Sequence, residues 1–221
     1  MLDWGRAHRF EAVHEWKRMS GMGDVILVRH GATDWSEAGR HTSYTDRPLT
    51  PNGERQARAL AGMLAEHPVA VTLCSPMLRA RTTAKLAGLD SPRIVEDMHE
   101  WDYGGYEGIT TAEIHRTRPD WDLWTDGVPP GPEGHPGETP EEIGARADRV
   151  LALVDKELRA ADGGDVTLVA HAHFLRVLTA RYLGLPVASG SLFMLATGTI
   201  SRLGVEHDKH AMAAWNERPR T

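Results

Sequence analysis

Cysteine is nearly absent from this chain of 221 residues: Cys74 stands alone, so no internal disulfide can form. Stability then rests on a packed core, and a reducing compartment suits the chain. Cys74 itself reads as a small buried hydrophobe. Long apolar runs are also missing. Crossing a bilayer needs roughly 20 consecutive apolar residues, and no such stretch occurs. The N-terminal stretch MLDWGRAHRFEAVHEWKRMSGMGD scatters charge throughout and lacks the apolar core of a secretory signal. The expectation is a cytoplasmic protein with no membrane partner. Excess positive charge is absent too, the formal net charge being −6. That argues against nucleic acid, whose phosphates select a basic footprint. A small anion stays accessible, because a local arginine cluster overrides a negative mean field. No repeat and no linker divides the chain. Residues 24–215 read as a single domain with 100–139 as a lid-like insertion. Residues 1–23 read as an N-terminal extension, either a short docking helix or an over-long start before Met22.

What is present is an alternation of strand and helix signals. DVILV (24–28) is a short apolar run with β-branched residues, hence a buried strand. Thr50-Pro51 is an N-cap followed by proline at the first helical position, and Ala57, Leu60, Ala61 and Leu64 share the face behind it. VAVTLC (69–74) predicts a second strand. Ser75-Pro76 repeats the cap-then-proline signal and predicts a helix to Leu86. RIVE (93–96) predicts a third, short strand. TTAEIHRTR predicts a helix within a middle segment rich in Gly, Pro and Trp, where Trp101, Trp121 and Trp124 read chiefly as packing. A long amphipathic helix follows Pro140, then a core strand at 165–170 and a helix over 173–184. SLFML and TISRLGVEH read as closing strands. The pattern predicts a three-layer α/β/α sandwich around a mostly parallel sheet.

The polar residues fall where such a sheet binds ligands, outside the carboxyl ends of its strands. Arg29-His30-Gly31 follows the first strand, Arg79 lies just after the second, and His171 follows the fourth. Two arginines and two histidines thereby reach one rim. Guanidinium forks grip phosphate oxygens and stay charged, and a neutral imidazole is a nucleophile. Gly31 would let backbone approach the ligand. Helix N-termini after Ser75 and near His171 would add N–H groups. Glu100 is the best-placed carboxyl to protonate a leaving oxygen, with Glu107 and Asp102 as competitors. His171 and His173 could alternatively form a metal pair, though no third ligand stands at a companion spacing.

LVRHGATDW, SPMLRARTTA, EWDYGGYEG, GET and VAHAHFLR, in that order, resemble the histidine phosphatase superfamily, also called phosphoglycerate mutase-like. The resemblance runs from about Asp24 to His207. It implies that His30 is phosphorylated, that Arg29, Arg79 and His171 hold the phosphoryl group, and that Glu100 donates the proton. It places Ser36 where many members contact phosphate, and Thr42 and Ser43 in the loop that closes on substrate. It implies no cofactor and no metal, a small phosphorylated metabolite as partner, and frequent homo-oligomers. The wording SEAGRHTSYTDRPLT and EWDYGGYEG is similar to the branch of sedoheptulose-1,7-bisphosphatase and broad-specificity acid-type phosphatases. Three departures stand out. Ala172 replaces the usual glycine after the second histidine, at the phosphate pocket. Ser43 replaces a common glycine, and the loop VPPGPEGHPGET is longer than its relatives carry. Hydrolysis of small phosphomonoesters is the leading expectation. A mutase that returns the phosphoryl group to a bound hydroxyl uses the same residues, and a phosphate-binding module without turnover is the third reading.

Overall fold

A computed structural model describes residues 23–219. The N-terminal segment expected to be a docking helix or an over-long start lies outside these residues. Six strands form one sheet: β1 (Val25–Arg29), β2 (Val69–Cys74), β3 (Arg93–Ile94), β4 (Asp165–Ala170), β5 (Ile200–Glu206) and β6 (Lys209–Glu217). Their order is β3-β2-β4-β1-β5-β6. The first four are mutually parallel, whereas β5 and β6 run antiparallel.

Side chains alternate across the sheet, and each face is covered by helices. Val25 and Leu27 of β1 join Val166 and Leu168 of β4 on one face, against Val150, Val154, Phe174 and Leu178. These four come from α6 (Pro140–Ala160) and α7 (Ala172–Tyr182). Ile26, Val28 and Val169 point the other way, against Leu60, Leu64, Ala80 and Ala84. Those belong to α2 (Pro51–Leu64) and α3 (Leu78–Leu86). The period of two on the strands and the apolar stripe on each helix produce the expected three-layer sandwich. Each fully buried Val, Leu or Ile in these layers contributes about 1.5–3 kcal/mol.

Caps hold where the sequence announces them. Thr50 accepts from Gly53 N at the start of α2, and Thr139 forms a capping box with Glu142 at the start of α6. The Ser75-Pro76 signal fails: α3 starts at Leu78, and its N-cap, Met77, offers no side-chain cap. The cap arrives from elsewhere in the chain, since both carboxylate oxygens of Asp46 accept from Leu78 N at 3.0 and 3.1 Å. The expected helix at TTAEIHRTR shrinks to α4 (Thr111–Ile114), preceded by α1 (Asp34–Glu37) and followed by α5 (Leu123–Asp126). RIVE contributes only two strand residues.

SLFML is not a strand. It ends a 3-10 segment, Val187–Leu192, and its carbonyls turn toward arginines instead of a neighbouring strand. The closing hairpin is β5 with β6, and KHAMAAWNE forms the edge strand that periodicity did not reveal.

Candidate active site

Sheet register assembles the site. Arg29 of β1 pairs with Ala170 of β4, and Cys74 of β2 pairs with Val169. The next residues, His30, Ser75 and His171, therefore emerge together at the carboxyl ends of three adjacent strands. Main-chain bonds extend the register past the strands, from His30 N to Ala170 O (3.1 Å) and from Ser75 N to Val169 O (3.0 Å).

His30 is buried, its ring centroid 5.1 Å from that of His171. Its Nδ1 lies 2.8 Å from Gly31 O, which accepts the ring proton and leaves the lone pair on Nε2. Burial, then the Arg79 and Arg29 charges, hold the His30 imidazole well below its ordinary range. At neutral pH it is an uncharged nucleophile. His171 is held down by burial first, then by the Arg79 charge and the neighbouring His30 and His99. Arg79 Nε donates to its Nδ1 (3.2 Å), so Nε2 carries the proton and donates to Ser75 Oγ at 2.7 Å. Ser75, which the sequence presented as a helix cap, instead orients the second histidine.

The two arginines differ. Arg29 donates through Nη1 to Leu195 O, while its buried Nε has no hydrogen-bond partner among the described residues. An unsatisfied buried donor costs about 1–3 kcal/mol, so Arg29 presents an N–H suited to an oxyanion. Burial lowers its guanidinium to about 10, which leaves it charged at any working pH. Arg79 is fully buried. Besides His171 it donates to Thr45 O (3.3 Å), Thr42 O (3.2 Å) and Ser43 O (2.9 Å).

Glu100 is buried and sits at the N-terminus of α7. Its Oε1 accepts from Trp101 N (2.9 Å) and Phe174 N (2.8 Å), and its Oε2 from His173 N (3.1 Å). Its negative charge acts on Arg29 and on Arg79. The competitors are engaged elsewhere: Asp102 accepts from Gly104 N and Gly137 N, and Glu107 accepts from Ser43 N and Thr45 N.

Several groups that the sequence places at the phosphate are also engaged within the protein. The helix N-termini expected to cradle phosphate hold carboxylates, Asp46 on α3 and Glu100 on α7. Gly31 is required by chain packing. A Cβ there would stand 2.3 Å from Gly53 O, and its N–H donates to Thr83 Oγ1 at 3.0 Å. Ser36 is committed to its own helix, bonding Thr33 through Oγ in a capping box. The Ser43 N–H is taken by Glu107 and that side chain is buried, so this loop residue serves the loop's own structure. Thr42 meets the site through its carbonyl, while its hydroxyl donates to Arg40 O. Ala172 occupies the first position of α7, next to His171.

Further contributors had no role assigned by the sequence. Tyr103 is buried, and its hydroxyl lies 2.6 Å from His173 Nδ1. His173 itself packs edge-on to Trp101 and Trp124. Arg146 donates to Asp97 O (2.7 Å), His99 O (2.6 Å) and Glu100 O (3.3 Å), and is paired with Glu138 at 2.6 Å. This buried pair fixes the backbone that carries Glu100. Its signal in the sequence is an acidic residue just before the α6 cap and an arginine two turns on. Replacing Glu138 by Ala leaves Arg146 as an uncompensated buried charge. Such losses run to about 3–5 kcal/mol, and a urea titration should show stability falling on that scale; a change under about 1 kcal/mol would show the pair to be dispensable.

The loop at 128–139 is docked, with Gly105 N donating to Pro129 O (2.8 Å) and His135 stacked on Tyr44 at 3.6 Å. His41 lies under the same region, between Tyr103 and Trp121. Burial lowers the His41 imidazole to about 4, whereas in an unfolded chain it titrates near 6.5. Between those values the unfolded chain binds a proton that the folded chain refuses. The contribution is therefore complete above pH ~6.5 and declines as pH falls, by up to about 1.4 kcal/mol per pH unit. Urea midpoints measured from pH 7 to 4.5 should drop more gently in His41→Gln than in the unaltered protein. Equal slopes would remove His41 from the acid response.

A buried, uncharged imidazole beside two arginines suits phosphoryl transfer, and the fold and site together define a phosphoryl-transfer enzyme. The family description "Histidine phosphatase superfamily (branch 1)" matches residues 25–218, and the chain belongs to that family. It is a phosphoric monoester hydrolase of the histidine phosphatase type. It is 40% identical over 191 residues to an acid phosphatase of Mycobacterium tuberculosis, covering 86% of this chain and 90% of that one. It is 35% identical to sedoheptulose 1,7-bisphosphatase of Saccharomyces cerevisiae over 73% of this chain and 68% of the relative. The solved structure of the Rv3214 open reading frame product from Mycobacterium tuberculosis superposes with a TM-score of 0.83 at 37% identity, over 90% of this chain and 99% of that one. Among the described residues no helix is long and apolar enough to cross a membrane.

Proposed function

We propose that the enzyme hydrolyses small phosphorylated sugars or sugar acids through a phosphohistidine formed on His30. The observation that carries this reading is the His30 ring, buried and uncharged, with its Nδ1 proton bound to Gly31 O and Nε2 left to attack. Nε2 forms a bond to phosphorus as the bond to the leaving oxygen breaks. Arg29, through its unpartnered Nε, and Arg79 take up the charge on the phosphoryl oxygens, while His171 holds the Arg79 guanidinium through Nδ1. Glu100 in its acid form gives the leaving oxygen a proton. Its Oε2 holds one N–H bond against two on Oε1, so Oε2 is the oxygen with room to carry that proton. Water then attacks phosphorus as the bond to Nε2 breaks and its electron pair returns to the His30 ring, the Glu100 carboxylate takes the water proton, and inorganic phosphate leaves. Support for sugar phosphates comes from the bisphosphatase relative. Residues 24–215 form the catalytic domain in this reading, 100–139 cover the site, and a cytoplasmic setting suits the lone buried thiol of Cys74.

The test is a hydrolysis panel of sedoheptulose and fructose bisphosphates, phosphoglycerates and nucleotides. Release of inorganic phosphate fastest from the sugar phosphates is the expected result. Preference for nucleotides would overturn the substrate class, and phosphoglycerate isomerisation without phosphate release would make a hydroxyl, not water, the acceptor.

A further inference from the structure

The loop of residues 42–46 is gripped from both sides of its backbone. On the N–H side, Glu107 accepts from Ser43 N through both carboxylate oxygens, at 3.0 and 2.9 Å, and from Thr45 N at 3.0 Å. On the carbonyl side, Arg79 donates to Thr42, Ser43 and Thr45. The loop is a short bridge between an acid and a base, with peptide groups in place of a direct salt bridge. Asp46 closes its far end on α3, the helix that carries Arg79. Glu107 is joined to the same region through its neighbour, Gly108 N donating to His41 O at 2.8 Å.

Arg79 has five N–H groups, and four hydrogen bonds to His171 and the loop already engage it. A phosphoryl oxygen can take the remaining N–H, and any further oxygen must displace a loop carbonyl. The placement of those carbonyls thus sets both the plane of the guanidinium and the ease of that exchange. On the Arg79 side the loop is tied at its far end, where Asp46 holds Leu78 N and lies 3.9 Å from Arg79 Nη1. The opposing anchor is the Glu107 carboxylate, whose negative charge also acts on Arg79.

We propose that Glu107 is a positioning residue for phosphoryl transfer, holding the 42–46 loop so that its carbonyls orient Arg79 toward the phosphoryl group. The proposal rests on the reading of Arg79 as a phosphoryl contact. It removes Glu107 from the set of candidate proton donors, because its oxygens face the loop. It also gives the acidic residue of YEG a task that spacing alone could not suggest.

Glu107→Gln keeps the size of the side chain but turns an amide NH2 toward N–H groups that need an acceptor. A misplaced binding group of this kind costs roughly ten- to a hundredfold in rate, and we expect kcat/KM to fall on that scale. The inhibition constant of inorganic phosphate should rise about tenfold with it. Glu107→Asp, which keeps the charge at shorter reach, should fall between the two, and it carries the same test should the Gln variant not fold. The deciding measurement is a double-mutant cycle with Arg79→Ala. If Glu107 acts through Arg79, its substitution adds little in that background. An equal penalty with and without Arg79, or unchanged kcat/KM and phosphate inhibition in Glu107→Gln, overturns the proposal. Calorimetric binding of inorganic phosphate separates this from the underlying reading. If Arg79→Ala leaves phosphate affinity intact, the phosphoryl contact itself is wrong. If Arg79→Ala weakens binding and Glu107→Gln does not, only the role of Glu107 fails.

Discussion

Replacing His30 by Ala should lower kcat/KM for a sugar phosphate by at least about 10⁴-fold, the scale on which enzymes lose activity when the nucleophile is removed. The physical reason is specific to the ring's setting. Burial and two guanidiniums hold the imidazole well below its ordinary range, so the wild-type ring has its lone pair at neutral pH. Water cannot take its place at that atom without a base to deprotonate it. Rapid quenching in alkaline detergent should trap an acid-labile phosphoryl group on the unaltered protein and on His171→Ala, and none on His30→Ala. The substitution should leave the fold intact, because a neutral ring is exchanged for an apolar group and the Gly31 N–H keeps its partner in Thr83. Loss of no more than tenfold, or label still bound in the His30→Ala protein, would move the nucleophile elsewhere. The same neutral state predicts that lowering pH does not switch the enzyme off at the ordinary imidazole range near 6.5.

What could be read in the sequence follows from how local each determinant is. Strand ends are local: an apolar run that stops at Arg29-His30, or at His171, marks a carboxyl edge with no knowledge of the partner strand. Parallel register then aligns those ends, and for this reason His30 and His171 face each other. Helix caps next in sequence to their helix, at Thr50 and Thr139, were equally legible. What failed was non-local. Asp46 caps α3 from 32 residues away, and Ser75 turned from a cap into the partner of His171 because β4 passes beside it. The SLFML run reads as a strand by composition. It lies instead against Arg29 and Arg176, whose side chains take the carbonyls a strand would offer its neighbour. The reverse holds for β6, where alanine-rich KHAMAAWNE lacks β-branched residues yet pairs with β5 at the sheet edge. Gly31 shows the limit of motif reading: its lack of a Cβ serves the approach of Gly53 at the start of α2. Glycine in the RHG motif is thus required by packing before any ligand is considered.

The Glu100 carboxyl poses the sharper test, because structure and proposed chemistry pull on it differently. As a carboxylate it closes the N-terminus of α7 through His173 N and Phe174 N, an arrangement that favours negative charge. As an acid it must release a proton to the leaving oxygen and recover one from water. Glu100→Gln should lower kcat for sugar phosphates by about 10²–10⁴-fold, the range of general acid catalysis. An aryl phosphate whose leaving phenolate needs no proton should lose far less in the first step. The burst of phenolate would then survive while steady turnover slows, because hydrolysis of the phosphohistidine still lacks its base. Glu138→Ala offers the contrast: it disturbs the backbone of Glu100 through Arg146 and should depress aryl and sugar phosphates alike. Equal losses for both substrate types in Glu100→Gln would mean that the carboxyl serves to close the helix and align the site, with the proton supplied by another group. A selective loss on poor leaving groups, with the burst retained, would mean that the helix N-terminus was built around the acid.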